Sequence, residues 1–165
     1  MKKGAEASLF LEEWHGRRVV MKRRLEKRYR LSELDEAIRS YRTLHEPQLF
    51  HRAKEAGVPT PTIFLVDTAE ANIVMEYVDG EQVKRVLERL SRVERLRLCR
   101  LIGALIGRLH RHGIIHGDLT TSNMILTADG KVFFVDFGLG EHSVELEARG
   151  VDLHLMKRAL QSTHF

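Results

Sequence analysis

His116-Gly117-Asp118-Leu119-Thr120-Thr121-Ser122-Asn123, followed twelve residues later by Val135-Asp136-Phe137-Gly138, is the stretch that decides how this chain folds. It places an Asp five residues before an Asn, then a second Asp at the end of a run that predicts a β-hairpin. The hairpin strands are Met124 to Leu126 and Val132 to Val135, with a turn at Asp129-Gly130. Phosphoryl transfer from a nucleotide needs a carboxylate near the acceptor hydroxyl and hard oxygen ligands that hold magnesium against the phosphates. Asp118 is the candidate base, and Asn123 and Asp136 are the candidate metal ligands. Asp118 capping a turn and Asp136 closing a strand would explain either fragment alone. Those roles do not explain both fragments at this spacing.

Working outward, the segment before His116 carries Val93, Leu96, Leu98, Leu101, Ile102, Leu105, Ile106 and Leu109 at helical spacing. A long core helix is expected from the break at Asp79-Gly80 through His112, with Gly113 as its terminator. Gly103 and Gly107 are expected to let a neighbour approach it closely. A final helix is expected over Val151 to Leu160. In the other direction, Ser8 to Trp14 and Arg17 to Lys22 read as strands joined at His15-Gly16, and Ile63 to Val66 and Asn72 to Tyr77 as two more. Between these pairs Leu31 to Ala56 reads as helix, with Pro47 either kinking it or starting a second piece. Gly57 ends it, and Val58-Pro59-Thr60-Pro61 is an extended connector. The first half is strand-rich and the second helix-rich. The expectation is an α+β chain, one domain over 1–165 made of two small lobes, 1–78 and 79–165.

Composition agrees with a globular chain: 165 residues, 43% apolar and 30% charged. No apolar run approaches the roughly 20 residues of a membrane-spanning helix. Met1 to Glu6 are followed by no apolar stretch of signal-peptide length, so a cytoplasmic protein is expected. Cys99, the single cysteine, reads as a small core residue among Leu98, Leu101 and Ile102. There are nine histidines, but His110, His112 and His116 fit no standard zinc spacing. The net charge of +4 is concentrated between Lys22 and Arg30. That cluster is either a solvated face or a surface for the phosphate backbones of a nucleic acid.

The two motifs resemble the catalytic loop and the Asp-Phe-Gly segment of protein kinases. The resemblance implies a strand lysine and a helix glutamate in the first half. Lys22, after Val19-Val20-Met21, fits the lysine that pairs with the α- and β-phosphates. Glu46 fits the glutamate, with Glu33, Glu36 and Glu55 as alternatives. Met75-Glu76-Tyr77 matches the hinge, where backbone groups of Glu76 and Tyr77 would meet adenine.

Gly4-Ala5-Glu6-Ala7, Lys22-Arg23-Arg24, Gly57-Val58-Pro59-Thr60-Pro61, Met75-Glu76-Tyr77 and the two motifs together closely resemble the small atypical kinase subunit of the KEOPS complex. That complex helps install threonylcarbamoyladenosine in transfer RNA. The resemblance implies ATP and Mg²⁺ as cofactors, with Gly4 and Ala5 in place of a glycine-rich phosphate loop. The activity it implies is that of an ATPase and weak serine/threonine kinase. The implied partners are the sugar-kinase-like threonylcarbamoyl-transferase subunit and a small accessory subunit on the first lobe.

Several positions depart from ordinary protein kinases. Gly117 stands where regulated kinases carry the arginine that receives an activation-segment phosphate. Thr120 stands where a cation usually supports the transferring phosphate. Only 13 residues separate Gly138 from Asp152, and no Ala-Pro-Glu segment occurs. Asp152 is either an anchor for the catalytic loop or an acid at a helix start. Two other readings stand beside this one. A small-molecule phosphotransferase of the aminoglycoside or choline kinase kind shares the motifs but usually adds a large acceptor-binding region. An ATP-binding scaffold with little chemistry could keep the same residues.

Overall fold

His15 and Gly16 take positive φ angles of 49° and 72°, closing a two-residue turn whose twist suits an antiparallel hairpin. The strands it joins, β2 (Ala7–Trp14) and β3 (Arg17–Arg24), pair in unbroken register from Trp14↔Arg17 to Ala7↔Arg24. The structure is a computed structural model and describes residues 2–3 and 7–164. Gly4 and Ala5, expected near the phosphates, lie outside the described residues. With β1 (Lys2–Lys3), β4 (Ile63–Asp67) and β5 (Asn72–Glu76), the hairpin forms an antiparallel sheet in the order β1-β2-β3-β5-β4.

Helix α1 (Ser32–Glu55) runs between β3 and β4 as one element, with Pro47 inside it. A proline there removes one backbone hydrogen bond. Burial of Glu46, Leu49, Phe50 and Ala53 on the same helix supplies the packing that holds it together.

Beyond the sheet come β6 (Gly80–Gln82), α2 (Val83–Arg89), α3 (Arg92–Arg111), β7 (Ile114–Ile115), a 3₁₀ turn (Thr121–Asn123), β8 (Met124–Thr127), β9 (Val132–Phe134), β10 (Glu141–His142) and α4 (Leu146–His164). The single helix expected from Gly80 to His112 is therefore a short strand and two helices. The break is at Ser91, which forms a capping box with Glu94: its hydroxyl accepts from Glu94 N, and its own N–H donates to Glu94 Oε2 at 3.0 Å.

Two further expectations for α3 are corrected by its phase. Leu98, Ile102, Leu105, Ile106 and Leu109 face the core. Positions 99, 103 and 107, spaced by four, share the solvent side. Cys99 is exposed, and a Cβ added at Gly103 or Gly107 would meet nothing within 4 Å. The final helix is longer than the expected Val151 to Leu160.

One core runs through the molecule, from Leu49 and Phe50 of α1 through Val83, Leu87, Ile102 and Leu109 to Met124, Phe134 and Phe137. Helix α1 thus contributes side chains to the same core as α2 and α3. Among the described residues no helix is long and apolar enough to cross a membrane.

Candidate nucleotide and phosphoryl-transfer site

Residues two apart on a strand point to the same face, so the inward turn of Lys22 on β3 also turns Arg24 inward. Both are buried, at 4% and 5% exposure. Lys22 Nζ lies 2.7 Å from Glu46 Oε1 and 2.7 Å from Asp136 Oδ1. Arg24 takes the other oxygen of the same glutamate, at 2.5 Å to Oε2. Of the four candidate acids on α1, Glu46 is the one brought to Lys22. The Phe137 N–H also donates to Glu46 Oε1, at 3.1 Å. Three segments far apart in sequence thus meet on one carboxylate.

Electrostatics hold Lys22 and Asp136 in their charged forms. Burial alone would lower Lys22, but the carboxylates of Glu46 and Asp136 outweigh it and raise its pKa above the ordinary value. Burial pushes the Glu46 carboxyl up, opposed first by Lys22. Burial would also raise Asp136, yet the Lys22 ammonium and the hydrogen bonds from Lys22 and Gly138 N hold it at about 2. Asp136 is therefore an anion, and its side chain is 40% exposed. An ionised, accessible carboxylate is what a hard cation requires.

The catalytic-loop side is built differently. Asp118 is exposed, and Asn123 Nδ2 donates to its Oδ2 at 2.8 Å and to its carbonyl at 2.9 Å. Spending Nδ2 this way keeps Asn123 Oδ1 as the oxygen a cation could take. The Val135 N–H donates to the Asn123 carbonyl at 3.0 Å, which ties the loop to the residue before Asp136.

Asp152 is 1% exposed and accepts from His116 N and Gly117 N, both at 3.0 Å, and contacts His110 Nε2 at 2.9 Å. Of its two readings, the loop anchor is the geometry observed. Burial would raise its carboxyl, but His110 and the two amides draw it below the ordinary value. Burial likewise lowers the His116 imidazole, whose Nδ1 accepts from Asp118 N at 3.3 Å. Phe137 joins the two sides: its ring lies 4.7 Å from that of His116 and 5.3 Å from that of Phe50 on α1.

Gly117 has a structural reason beyond the missing arginine. Its φ is +77°, and a Cβ there would lie 2.0 Å from the Leu139 carbonyl oxygen. At the expected hinge, the Glu76 N–H is committed to Thr62 O at 2.8 Å, and the Glu76 carboxylate accepts from Thr62 N at 2.9 Å. The Glu76 N–H is thus already used within the sheet edge. Tyr77 lies under the Arg18 guanidinium, 4.5 Å from the ring centroid.

Sequence reading placed Lys22 and Arg24 in a basic surface cluster between Lys22 and Arg30. Both are buried on Glu46, so the cluster loses two of its cations. The period-two signal of the strand was the cue that could have assigned Arg24 to the site. Among the described residues no group of three or more His, Cys, Asp and Glu side chains converges to hold a metal. One amide oxygen and one carboxylate suit Mg²⁺, which keeps several waters and takes phosphate oxygens as further ligands.

The chain matches the protein kinase domain family over residues 3–157. It is 52% identical over its whole length to the KEOPS complex subunit Bud32 of Pyrococcus abyssi (strain GE5 / Orsay), covering 77% of that protein. It is 48% identical to a probable bifunctional tRNA threonylcarbamoyladenosine biosynthesis protein of Methanothermobacter thermautotrophicus, with 99% of this chain aligned to 29% of the relative. The chain therefore spans less than a third of that bifunctional protein. The Rio2 kinase from Chaetomium thermophilum, solved as an ADP/Mg²⁺-phosphoaspartate complex, superposes with a TM-score of 0.79 at 21% identity. The match covers 99% of this chain and 55% of that one, and shows a shared fold.

Proposed function

The chain belongs to the Bud32 family of protein-kinase-like proteins, and from that premise we propose that it is an atypical kinase and ATPase serving transfer-RNA threonylcarbamoylation within a KEOPS complex. The observation that carries this reading is Lys22 Nζ held 2.7 Å from both Glu46 and Asp136, which sets a cation beside an ionised carboxylate. One kinase-like domain over 1–165, divided between 78 and 79, frames the site. Lys22 binds the phosphates of ATP, and Glu46 orients Lys22. Asn123 and Asp136 would hold Mg²⁺, which when bound neutralises charge on the phosphates. Asp118, aligned by Asn123, accepts the proton of the attacking hydroxyl or water. Backbone groups near Glu76 and Tyr77, together with Gly4 and Ala5, complete the nucleotide contacts.

Thr120 offers no cation to the transferring phosphate, and no Ala-Pro-Glu segment follows. Both favour slow turnover linked to an assembly over rapid phosphorylation of proteins. The partners in this reading are the sugar-kinase-like threonylcarbamoyl-transferase subunit and a small subunit on the first lobe, in the cytoplasm. A contact with transfer RNA through the basic segment would fall to exposed residues such as Arg23 and Arg28.

The test is phosphate release from Mg-ATP by the purified chain, with and without the transferase subunit. Asp118→Ala and Asp136→Ala are each expected to reduce the rate by about 10²-fold or more. Wild-type-like turnover in both variants would sink the assignment.

A further inference from the structure

We propose that Arg24 is a positioning residue for the nucleotide site: it holds α1 and Glu46 in place through the carboxylate oxygen that Lys22 leaves, so that Lys22 can engage phosphate without releasing the helix. This rests on the reading of Lys22 and Asp136 as nucleotide-binding groups.

The geometry separates the duties of the two cations. Lys22 divides its ammonium between Glu46 Oε1 and Asp136 Oδ1, and a phosphate would compete for the same three donors. Arg24 takes the other oxygen of Glu46. One terminal nitrogen lies 2.5 Å from Glu46 Oε2, and the same nitrogen donates at 3.4 Å to the carbonyl of Arg42, one turn earlier on α1. The guanidinium therefore grips α1 through a side chain and through its backbone. It also borders the Asp-Phe-Gly turn, because a Cβ on Gly138 would lie 3.3 and 3.5 Å from its two terminal nitrogens. Arg24 thus links β3, α1 and the segment that carries Asp136. A fixed, permanently charged fork suits this task better than a mobile ammonium.

Stability alone does not account for such a residue. Arg24 Nε is buried without a hydrogen-bond partner, which is costly. A buried ion pair is often no more stable than apolar groups of the same shape. What the pair supplies is geometry. In regulated kinases the lysine–glutamate pair forms only when the helix is correctly set, and phosphorylation of the activation segment controls that setting. Here Gly117 occupies the place of the arginine that would read such a phosphate. Arg24 sets the helix from within the sheet, so the site is assembled without that signal.

The experiment compares Arg24→Met, Arg24→Lys, Glu46→Gln and the Arg24→Met/Glu46→Gln double variant of the full chain. Three quantities are read: kcat for phosphate release, the Kd of a fluorescent ATP analogue, and amide hydrogen exchange of residues 43–50 and Phe137 without added nucleotide. Arg24→Met is expected to lower kcat about tenfold and to speed exchange in α1 and at Phe137 by a similar factor, with nucleotide Kd within about threefold. Arg24→Lys is expected to recover most of both losses. In the Glu46→Gln background, Arg24→Met is expected to add less than about threefold, because the two residues act as one unit.

Unchanged kcat and exchange in Arg24→Met, or losses that multiply fully in the double variant, would overturn the proposal. Should Arg24→Met fail to fold, Arg24→Gln replaces it, and equal values for Arg24→Gln and Arg24→Lys overturn it in the same way. The exchange arm needs no nucleotide. A clamp that behaves as expected in a chain whose Lys22→Met variant keeps full nucleotide affinity therefore overturns the functional reading and leaves the structural one standing.

Discussion

The two halves of the candidate site are held by different balances of bond. Asp118 and Asn123 sit on a loop whose backbone amides, at His116 and Gly117, donate into the buried carboxylate of Asp152. Lys22 joins Glu46 and Asp136 through side-chain ion pairs, with Arg24 as a fourth member, and the amides of Phe137 and Gly138 add bonds to the two carboxylates. Amide-to-carboxylate bonds fix a backbone and cannot be traded without refolding the loop. Ion pairs between side chains can exchange partners, as a site must when a phosphate and a cation arrive. The difference teaches that one side is built to stay still and the other to hand over its charges.

The largest test of the rigid side is Gly117→Arg, which restores the residue of ordinary kinases. With φ at +77° and the Leu139 carbonyl 2.0 Å from the new Cβ, the loop and the segment after Gly138 must move apart. Destabilisation of about 3 kcal/mol or more is expected from strain and overpacking together, along with loss of turnover. Denaturant titration would check this. A Gly117→Arg protein with the parental midpoint would mean that the backbone of this loop is not fixed as described.

A smaller effect is expected at Asp152. Replacement by Ala leaves the buried amide of His116 without its acceptor, at about 1 to 3 kcal/mol, and the part-buried amide of Gly117 at less because water can reach it. The same carboxylate gives the rigid side a pH signature. Its folded pKa lies below the ordinary 3.8, so its contribution is complete above that value and is lost as pH falls through the lower folded value. Melting temperatures from pH 2 to 7 should show an acid limb in the wild type that is shallower in Asp152→Asn. Identical acid limbs would show that Asp152 is not the group responsible.

Much of this comparison was open to a reader of the sequence, for identifiable reasons. The hairpin at His15-Gly16 and the paired motifs around Asp118 and Asp136 are local patterns with fixed spacing. They gave the strand-rich first lobe and the kinase-like fold. Arg24 was missed because charge was counted along the chain while burial was not, although its two-residue offset from Lys22 carried the information. Ser91 was missed because the apolar pattern runs on across it. The Ser-x-x-Glu signal for a new helix was present and outweighed. What His110, Gly117 and Asp152 do together cannot be seen in a linear pattern, since the contact spans up to 42 positions.

The smallest prediction uses a misread pair of glycines to check that the distinction belongs to the cleft and not to the whole second lobe. Gly103 and Gly107 look like a packing notch but face solvent, with nothing within 4 Å of an added Cβ. At an exposed helix interior, alanine is favoured over glycine by roughly 0.5 to 1 kcal/mol because the unfolded glycine has more freedom to lose. Gly103→Ala and Gly107→Ala should therefore raise the unfolding midpoint slightly, with phosphate release unchanged. A loss of stability in either variant would mean that this face of α3 is packed against something. In that case the rigidity ascribed to Asp152 would have to be shared with α3.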